Sequence, residues 1–212
     1  VLTQLKLLET NPQIVGLSAT ITNSDEIADW LNCKLVKNDW RPVPLSEGVC
    51  DAGEITMNDG KVFSVERSVC GTPIDLGVQS VKEGGQSLIF AETRNRSKSL
   101  ATKAADAISQ ILEKKDLEEL ERTSKKILSE NEHTELIKTL AFLVKKGVAF
   151  HHAGLNQNCR QTIETEFRKG TIKLLSSTPT LAAGVNLPAR RVVISSINRY
   201  NAKVGANRPI SI

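Results

Sequence analysis

A loop of small residues between two apolar runs constrains the fold of this chain more than any other stretch. It reads Thr-Pro-Thr-Leu-Ala-Ala-Gly-Val-Asn-Leu-Pro-Ala-Arg and occupies residues 178–190. An apolar run at 172–175 precedes it, and another at 192–194 follows it. Short apolar runs around such a loop are typical of buried strands in a parallel sheet. We therefore expect the loop to lie at the carboxyl ends of the strands, where open parallel sheets bind ligands.

The hydroxyl groups at the start of this loop indicate which ligand it suits. Thr178 and Thr180 follow the first apolar run after Ser176 and Ser177. Hydroxyls and free backbone N–H groups at such a place suit phosphate oxygens. An ordinary Ser/Thr-rich connection between a strand and a helix is the alternative interpretation of the local pattern.

The composition limits the class of protein. A chain of 212 residues holds one large domain, or one domain with pieces of another. The hydrophobic fraction of 40% and the aromatic fraction of 4% fit an aliphatic α/β core. No apolar run is long enough for a membrane span, and no signal peptide opens the chain. The four cysteines lack metal-type spacing, which favours reduced thiols in a cytosolic protein.

Positive charge is concentrated at the end of the chain, although the net charge is only +4. Residues 167–212 contain no Asp or Glu. The same segment carries eight basic residues: Arg168, Lys169, Lys173, Arg190, Arg191, Arg199, Lys203 and Arg208. This block indicates a polyanionic partner, with nucleic acid ahead of membrane because no amphipathic apolar face accompanies it. A solvated basic surface is the alternative interpretation.

Alternating strands, loops and helices from residue 87 onward predict a parallel sheet with right-handed crossovers. Predicted strands at 87–90, 148–150 and 172–175 are each followed by polar residues. Thr93 and Arg94 follow the first, and Thr178 follows the third. His151 follows the second, with Arg160 in the first turn of the next helix. All three loops suit a phosphate backbone, whereas a metal site at the two adjacent histidines lacks a visible third ligand.

The other segments are predicted to support this sheet. Residues 14–17 are expected to form a buried strand, and 25–31 a helix. The runs 54–57 and 61–65 flank Asn-Asp-Gly and predict a hairpin. Helices are expected at about 76–81, 98–112 and 136–144, and between Asn156 or Asn158 and Lys169. The charged stretch 113–135 is predicted to be a solvated helical excursion that does not contact nucleic acid.

The motifs together resemble a superfamily-two DExH helicase of the superkiller type, closest to archaeal DNA-repair helicases related to the helicase half of DNA polymerase theta. Leu-Ser-Ala-Thr at 17–20 matches motif III, and residues 87–97 match motif IV. Phe-His-His-Ala-Gly-Leu at 150–155, continued through Arg160 and Phe167, matches motif IVa. Residues 178–190 match motif V. The motif V string, combined with Phe-His-His-Ala-Gly-Leu and Trp-Arg-Pro-Val at 40–43, is specific.

The resemblance implies a fold and a domain organisation. The fold class is α/β, a RecA-like parallel sheet flanked by helices, with a β-hairpin near the carboxyl terminus. Residues 1–37 are expected to be the end of a first RecA-like domain, and 38–45 a linker made extended by two prolines. Residues 46–212 are expected to be most of a second RecA-like domain.

The resemblance also implies roles for individual residues. Those expected to contact the phosphates of the tracked strand are Thr93, Arg94, Thr178 and Arg160. Ser18 and Thr20 are expected to couple the ATP state to domain movement. Gly184 and Asn186 are expected to face the nucleotide cleft, although many relatives carry Asp at the position of Asn186.

Repair helicases of this type insert a β-hairpin between motifs V and VI that separates the strands. Residues 192–199 and 207–212 are its expected arms here, with 200–206 near the tip. Arg199 and Tyr200 are expected nucleic-acid contacts, with Tyr200 stacking on a base at the fork. Local packing of an exposed tyrosine is the alternative for Tyr200.

Three helicase signatures are missing: GxxxxGK[ST], DExH and QxxGRAGR. The chain is therefore expected to be a fragment that contributes half of an ATP cleft and does not hydrolyse ATP alone. ATP and Mg²⁺ are expected cofactors of the full-length protein, and no resident metal is expected in this fragment.

The predicted function is part of an ATP-dependent 3′-to-5′ DNA helicase that grips single-strand phosphates and splits duplex with the hairpin. The expected partners are single-stranded and forked DNA and the first RecA-like domain, without a membrane. The expected location is the cytoplasm at the nucleoid, or the nucleus in a eukaryote. A superkiller-type RNA helicase and a non-catalytic nucleic-acid-binding module are the alternatives.

Overall fold

The computed structural model describes residues 2–7, 13–18, 21–38, 40–181, 187–196, 198–201 and 206–209. The chain forms two compact units, Val1–Leu45 and Ser46–Ile212. The assignment of 1–37, 38–45 and 46–212 to parts of two RecA-like domains stays a prediction. Among the described residues, no helix is both long and apolar enough to cross a membrane.

The first unit contains two helices, α1 (Leu2–Leu7) and α2 (Ser24–Leu31). The predicted strand at 14–17 is wrong, because residues 13–18 pair with no other strand of the described chain. Leu17 is 94% exposed instead of buried. A parallel strand is stable only when neighbouring strands satisfy its backbone groups and cover its side chains. The described part of this unit supplies no such neighbour.

The second unit opens with an antiparallel sheet of β1 (Gly48–Asp51), β2 (Glu54–Met57) and β3 (Val62–Ser64). The predicted hairpin is confirmed as β2 and β3, and Gly60 takes a positive φ of 82° in its turn. β1 was missed because a four-residue run at a sheet edge carries too little apolar pattern to be recognised.

A four-stranded parallel sheet forms the centre of the second unit. Its strands are β4 (Ser87–Phe90), β5 (Val148–His151), β6 (Leu174–Ser177) and β7 (Arg191–Ile194), in the order β5-β6-β4-β7. All three strand pairs are parallel. β6 extends two residues beyond the predicted run because Ser176 and Ser177 also pair with β4. The predicted α/β fold with a RecA-like parallel sheet is confirmed.

Helices flank this sheet. They are α3 (Thr72–Lys82), α4 (Arg94–Ser109), α5 (Lys114–Ser129), α6 (Glu135–Lys145) and α7 (Gln157–Arg168). The core between sheet and helices includes Ile89, Phe150 and Phe167, none of which is exposed. α4 begins four residues before its predicted start, so Arg94 lies in its first turn. A single 3₁₀ turn, Pro179–Leu181, follows β6.

A separate hairpin follows the sheet, formed by β8 (Asn198–Asn201) and β9 (Ala206–Pro209). The predicted hairpin near the carboxyl terminus is thus present, but its first arm is shorter than expected. Residues 192–194 belong to β7 and pair with β4 in the central sheet. Of these three apolar residues only Val193 is buried in the core, while Val192 and Ile194 are exposed. Tyr200 is the second-to-last residue of β8 and pairs with Asn207, so it lies near the tip of the hairpin as predicted.

Candidate nucleic-acid interface

The ends of β4, β5 and β6 bring three predicted loops to one edge of the central sheet. Ser177 pairs with both His151 and Phe90, the last residues of β5 and β4. Because β6 lies between β5 and β4, the residues that follow the three strands are neighbours. We call this edge, with the first turns of α4 and α7, the grip edge. It contains Thr93, Arg94, Arg160 and Thr178.

The first segment of the grip edge leads from β4 into α4. Thr93 is the N-cap of α4, and its hydroxyl oxygen accepts a hydrogen bond of 3.1 Å from the backbone N–H of Arg96. The Thr93 hydroxyl keeps its own proton for donation to a second group. Arg94 and Arg96 are exposed in the first turn of the helix, which contains no acid.

The second segment leads from β5 into α7. Asn156 is the N-cap of α7 and accepts a hydrogen bond of 2.9 Å from the backbone N–H of Cys159. This settles the choice between Asn156 and Asn158. Arg160 follows at the end of the first turn, which again contains no acid. Asn156 also donates a side-chain hydrogen bond to Asn131, so the turn after α5 contacts this segment. The charged excursion therefore comes closer to the grip edge than the sequence indicated.

The first turns of α4 and α7 carry arginines and no acid, whereas four other helices have an acid there, beside two lysines in the case of α5. Helices α2, α3, α5 and α6 each place at least one Asp or Glu there. An acid is favourable at this end, since the helix dipole leaves partial positive charge on its free N–H groups. Arginines at the same position are unfavourable unless an anion is nearby. The two helices that start at the grip edge are thus arranged for a negatively charged ligand.

The first two segments meet at Gly154. A Cβ atom at this position would lie 3.0 Å from His152 Nδ1 and 3.6 Å from Arg94 Nη1. The backbone N–H of Gly154 donates a hydrogen bond of 3.0 Å to His152 Nδ1, which fixes the His152 ring. Burial, followed by the positive charge of Arg94, lowers the pKa of His152 below its ordinary value of 6.5. The two loops therefore pack side by side, with the guanidinium of Arg94 next to the second.

A buried histidine–glutamate pair joins the end of β5 to α7. His151 Nε2 lies 2.9 Å from Glu164 Oε1, and both side chains are shielded from solvent. Burial lowers the pKa of His151 below 6.5, although the hydrogen bond to Glu164 opposes that shift. His151 is thus a neutral imidazole whose Nε2–H donates to the carboxylate.

Thr178 lies at the carboxyl end of β6, as predicted, but its side chain is largely covered. It is 8% exposed, and its backbone N–H donates a hydrogen bond of 3.1 Å to the carbonyl of His151. Its carbonyl accepts from Leu181 in the following 3₁₀ turn. Thr178 thereby joins the second and third segments of the grip edge through its backbone.

Several buried polar atoms at this edge have no hydrogen-bond partner in the described part of the chain. They are Glu92 Oε2, His151 Nδ1, Arg160 Nε and Ser195 Oγ. Buried polar groups in folded proteins are nearly always hydrogen-bonded, so a concentration of unsatisfied ones marks a functional or incomplete site. Glu92 is an acid within this basic edge, and no sequence pattern indicated that its carboxylate would be buried there.

The basic block at the end of the chain is less available for binding a polyanion than its sequence suggested. Five of its members pair with acids from earlier in the chain. Those five are Arg168, Lys169, Lys173, Arg190 and Arg191. By contrast, the described residues include no ion-pair partner for Arg94, Arg96 or Arg160. The arginines at the grip edge are thus without an ion pair among the described residues, whereas Arg168, Arg190 and Arg191 of the block each have one.

The remaining predicted residues belong to other segments of the chain or lie outside the described residues. Ser18 is exposed in the first unit. Thr20, Gly184 and Asn186 lie outside the described residues. Arg199 and Tyr200 belong to β8, where the structure gives their backbone pairing only. Within the described part of the chain, no three His, Cys, Asp or Glu side chains come together in a way that could hold a metal ion.

The helix-flanked parallel sheet is consistent with the RecA-like fold of a helicase C-terminal domain, and sequence comparison points to the same family. Residues 104–204 match the helicase conserved C-terminal domain family. The chain is 43% identical over 210 residues to ATP-dependent DNA helicase Hel308 of Caldivirga maquilingensis, which covers 97% of this chain and 27% of that protein.

Two further relatives carry the same name. Hel308 of Methanococcus vannielii is 43% identical over 92% of this chain, and Hel308 of Methanocella arvoryzae is 40% identical over 97%. The chain spans 27% of the length of each of these proteins. It is therefore homologous to one part of proteins named ATP-dependent DNA helicase Hel308, in agreement with the predicted resemblance to archaeal helicases.

Sequence reasoning missed two features of the site. The pairing of His151 with Glu164 joins residues 13 positions apart on different elements, and no local pattern indicates it. Gly154 was noticed only as part of a motif, whereas the structure gives it a packing role between His152 and Arg94. Threonine is a common N-cap residue, so Thr93 could have indicated that α4 begins at Arg94.

Proposed function

We propose that this chain is the part of an ATP-dependent DNA helicase that holds the phosphates of a single strand at the grip edge. The observation that carries the proposal is the placement of Arg94 and Arg160 in the acid-free first turns of two helices that start at one sheet edge. Both lack an ion-pair partner among the described residues. Helix N–H groups, hydroxyls and guanidinium groups together suit phosphate oxygens.

DNA is the proposed nucleic acid because the relatives are named DNA helicases. Contacts of this kind carry no sequence information, so binding is expected to tolerate any sequence and to weaken steeply with salt. The superkiller-type RNA helicase is not favoured by these names. The contacts themselves distinguish poorly between the sugars, since RNA recognition depends on 2′-hydroxyl groups.

The proposed source of movement is ATP, which the relatives' name includes. Ser18 and Thr20 would couple the nucleotide state to movement, and Gly184 and Asn186 would face ATP and its Mg²⁺. The 212 residues contain no GxxxxGK[ST] or DExH sequence. We therefore propose that this segment forms half of the ATP cleft with a first RecA-like domain and does not hydrolyse ATP by itself.

The hairpin of β8 and β9 is the proposed strand-separating element. An antiparallel pair with Arg199 and Tyr200 in one strand offers charge and an aromatic ring for a base at the fork. The direction of travel, 3′ to 5′, and the preference for forked DNA are part of the same proposal. A protein that acts on DNA works where DNA is kept, which places it at the nucleoid or in the nucleus.

The proposal is tested by unwinding of a forked DNA duplex with the full-length protein. Arg94→Ala and Arg160→Ala should each weaken single-strand binding. In a plot of the logarithm of the binding constant against the logarithm of the salt concentration, each should make the negative slope shallower by about 0.7. Arg122→Ala is the matched control, because Arg122 is an exposed arginine on α5 that already pairs with Glu119 at 3.4 Å. If binding and unwinding survive both grip-edge substitutions together with Thr178→Ala, the assignment is wrong. A parallel assay with an RNA duplex distinguishes the two nucleic acids.

A further inference from the structure

The carboxylate of Glu164 has a neighbour at each of its two oxygens, His151 and Arg168. Its Oε1 accepts from His151 Nε2 at 2.9 Å, and its Oε2 lies 3.8 Å from Arg168 Nη2. The Glu164 side chain is only 15% exposed. Both oxygens are therefore directed away from solvent and toward these two partners.

Glu164 is also the nearest acid in sequence to Arg160 on α7. Residues four positions apart on a helix lie on the same face and form ion pairs when their charges are opposite. Glu164 stands in this relation to Arg160 before it and to Arg168 after it. The order with the acid first is the more favourable of the two, which is the order of Glu164 and Arg168.

Arg160 itself forms no ion pair with Glu164 in the structure, although it lies close enough to influence the titration of His151. Its Nε is buried and has no hydrogen-bond partner among the described residues. A guanidinium neutralised by its own helix would bind a phosphate less tightly, since the two anions would compete for the same donors. A contact that keeps the Glu164 carboxylate away from Arg160 would therefore keep the Arg160 guanidinium available for a phosphate.

We propose that His151 is a positioning residue that holds the Glu164 carboxylate away from Arg160, so that the Arg160 guanidinium stays free for a phosphate. The inference rests on the proposed function, in which Arg160 contacts the strand. It assigns His151 a role distinct from metal binding or base contact. Arg168 assists by holding the second carboxylate oxygen.

A double-mutant cycle on the full-length protein tests this role. His151→Leu removes the donor to Glu164 and should weaken binding of a fluorescent single-stranded oligonucleotide about fivefold, close to the effect of Arg160→Ala. In the Glu164→Gln background, the same His151→Leu change should have almost no effect, because a neutral amide no longer neutralises Arg160. His151→Gln should retain binding, since its amide N–H replaces the donor.

The salt dependence gives a second readout, which a loss of packing alone would not move. His151→Leu should make the negative slope of log K against log salt shallower, as Arg160→Ala does. Adding Glu164→Gln should restore the slope of the parent protein. Thermal unfolding of every variant shows whether binding is compared between folded proteins. If His151→Leu weakens binding equally in both backgrounds, His151 is only structural and the inference is overturned.

The outcomes separate the inference from the function on which it rests. If Arg160→Ala weakens binding and His151→Leu does not, the positioning role is wrong while the grip stands. If Arg160→Ala leaves binding and its salt slope unchanged, Arg160 is not a phosphate contact and both assignments fail at this residue. Support requires an effect of His151→Leu that appears only when position 164 carries a charge.

Discussion

Thr93 and Thr134 occupy equivalent positions as N-caps, yet only Thr93 lies at the grip edge. The Thr93 hydroxyl accepts from the backbone N–H of Arg96 at 3.1 Å, and the Thr134 hydroxyl accepts from that of Ile137 at 3.3 Å. Both hydroxyls satisfy a free N–H at the start of a helix. The chain thus contains a pair of matched caps, one beside the proposed ligand and one beside an ordinary acidic first turn.

This pair separates a structural role of Thr93 from a binding role. Thr93→Ala and Thr134→Ala should each lower the free energy of unfolding by about 1 kcal/mol. Only Thr93→Ala should also weaken single-strand binding, because the hydroxyl proton of Thr93 and the order of the α4 start are both lost at the grip edge. Urea unfolding and oligonucleotide binding of the two variants check this. If the Thr93→Ala variant binds the oligonucleotide as tightly as the Thr134→Ala variant and the parent protein do, Thr93 acts only as a cap.

The packing at Gly154 gives a second prediction. An alanine there would bring a Cβ to 3.0 Å from the His152 ring and 3.6 Å from Arg94 Nη1, so the ring must shift slightly and disturb its packing next to the guanidinium. Gly154→Ala is expected to weaken single-strand binding about threefold by displacing Arg94 from its phosphate. Ala153→Ser, at an exposed neighbour in the same loop, is the control and should bind as the parent does. Binding titrations at fixed salt make the comparison.

The basic block yields a prediction in the opposite direction. Arg191 Nη1 donates hydrogen bonds of 3.0 Å to the Leu76 carbonyl and 3.1 Å to Gln79 Oε1 on α3. Arg191→Ala should therefore lower the free energy of unfolding by about 1–2 kcal/mol while leaving DNA affinity nearly unchanged. Denaturant unfolding and binding measured side by side test it. A large loss of DNA affinity without a loss of stability would show that Arg191 contacts nucleic acid.

The buried histidines predict how stability changes with pH. The pKa values of His151 and His152 are lowered from 6.5 in the fold, in both cases mainly by burial. Below that value the unfolded chain binds protons that the folded chain does not, so stability must fall as the pH falls. The window extends downward from pH 6.5 to the folded pKa values. The charges that face these rings are Glu164 and Arg160 for His151, and Arg94 and Lys98 for His152.

Substitution of both rings provides the test. His151→Gln keeps a donor for Glu164, and His152→Asn keeps an acceptor for the Gly154 N–H. The double variant should lose most of the decline in unfolding free energy between about pH 7 and about pH 5.5 that the parent shows. Urea unfolding at several pH values measures it. A decline of the same size in the double variant would assign the effect to other groups.

The sequence by itself determined the parallel sheet and the loops that carry the grip edge. The apolar runs at 87–90 and 148–150 predicted β4 and β5 closely, because buried strands have a strong local pattern. The cap at Asn156 was likewise foreseen as one of two candidates. Motif order then indicated the helicase relationship, which comparison confirmed.

Tertiary structure alone decided which charges remain free. Arg190 and Arg191 read as part of a nucleic-acid surface, yet both lie within ion-pair distance of Glu83, more than one hundred positions earlier. The prediction of a strand at 14–17 was wrong for a related reason, because a strand needs neighbouring strands that come from elsewhere in the fold. Local patterns record what a segment buries, whereas pairing depends on distances that only the folded chain sets. The relation of His151, Glu164 and Arg160 belongs to this second kind.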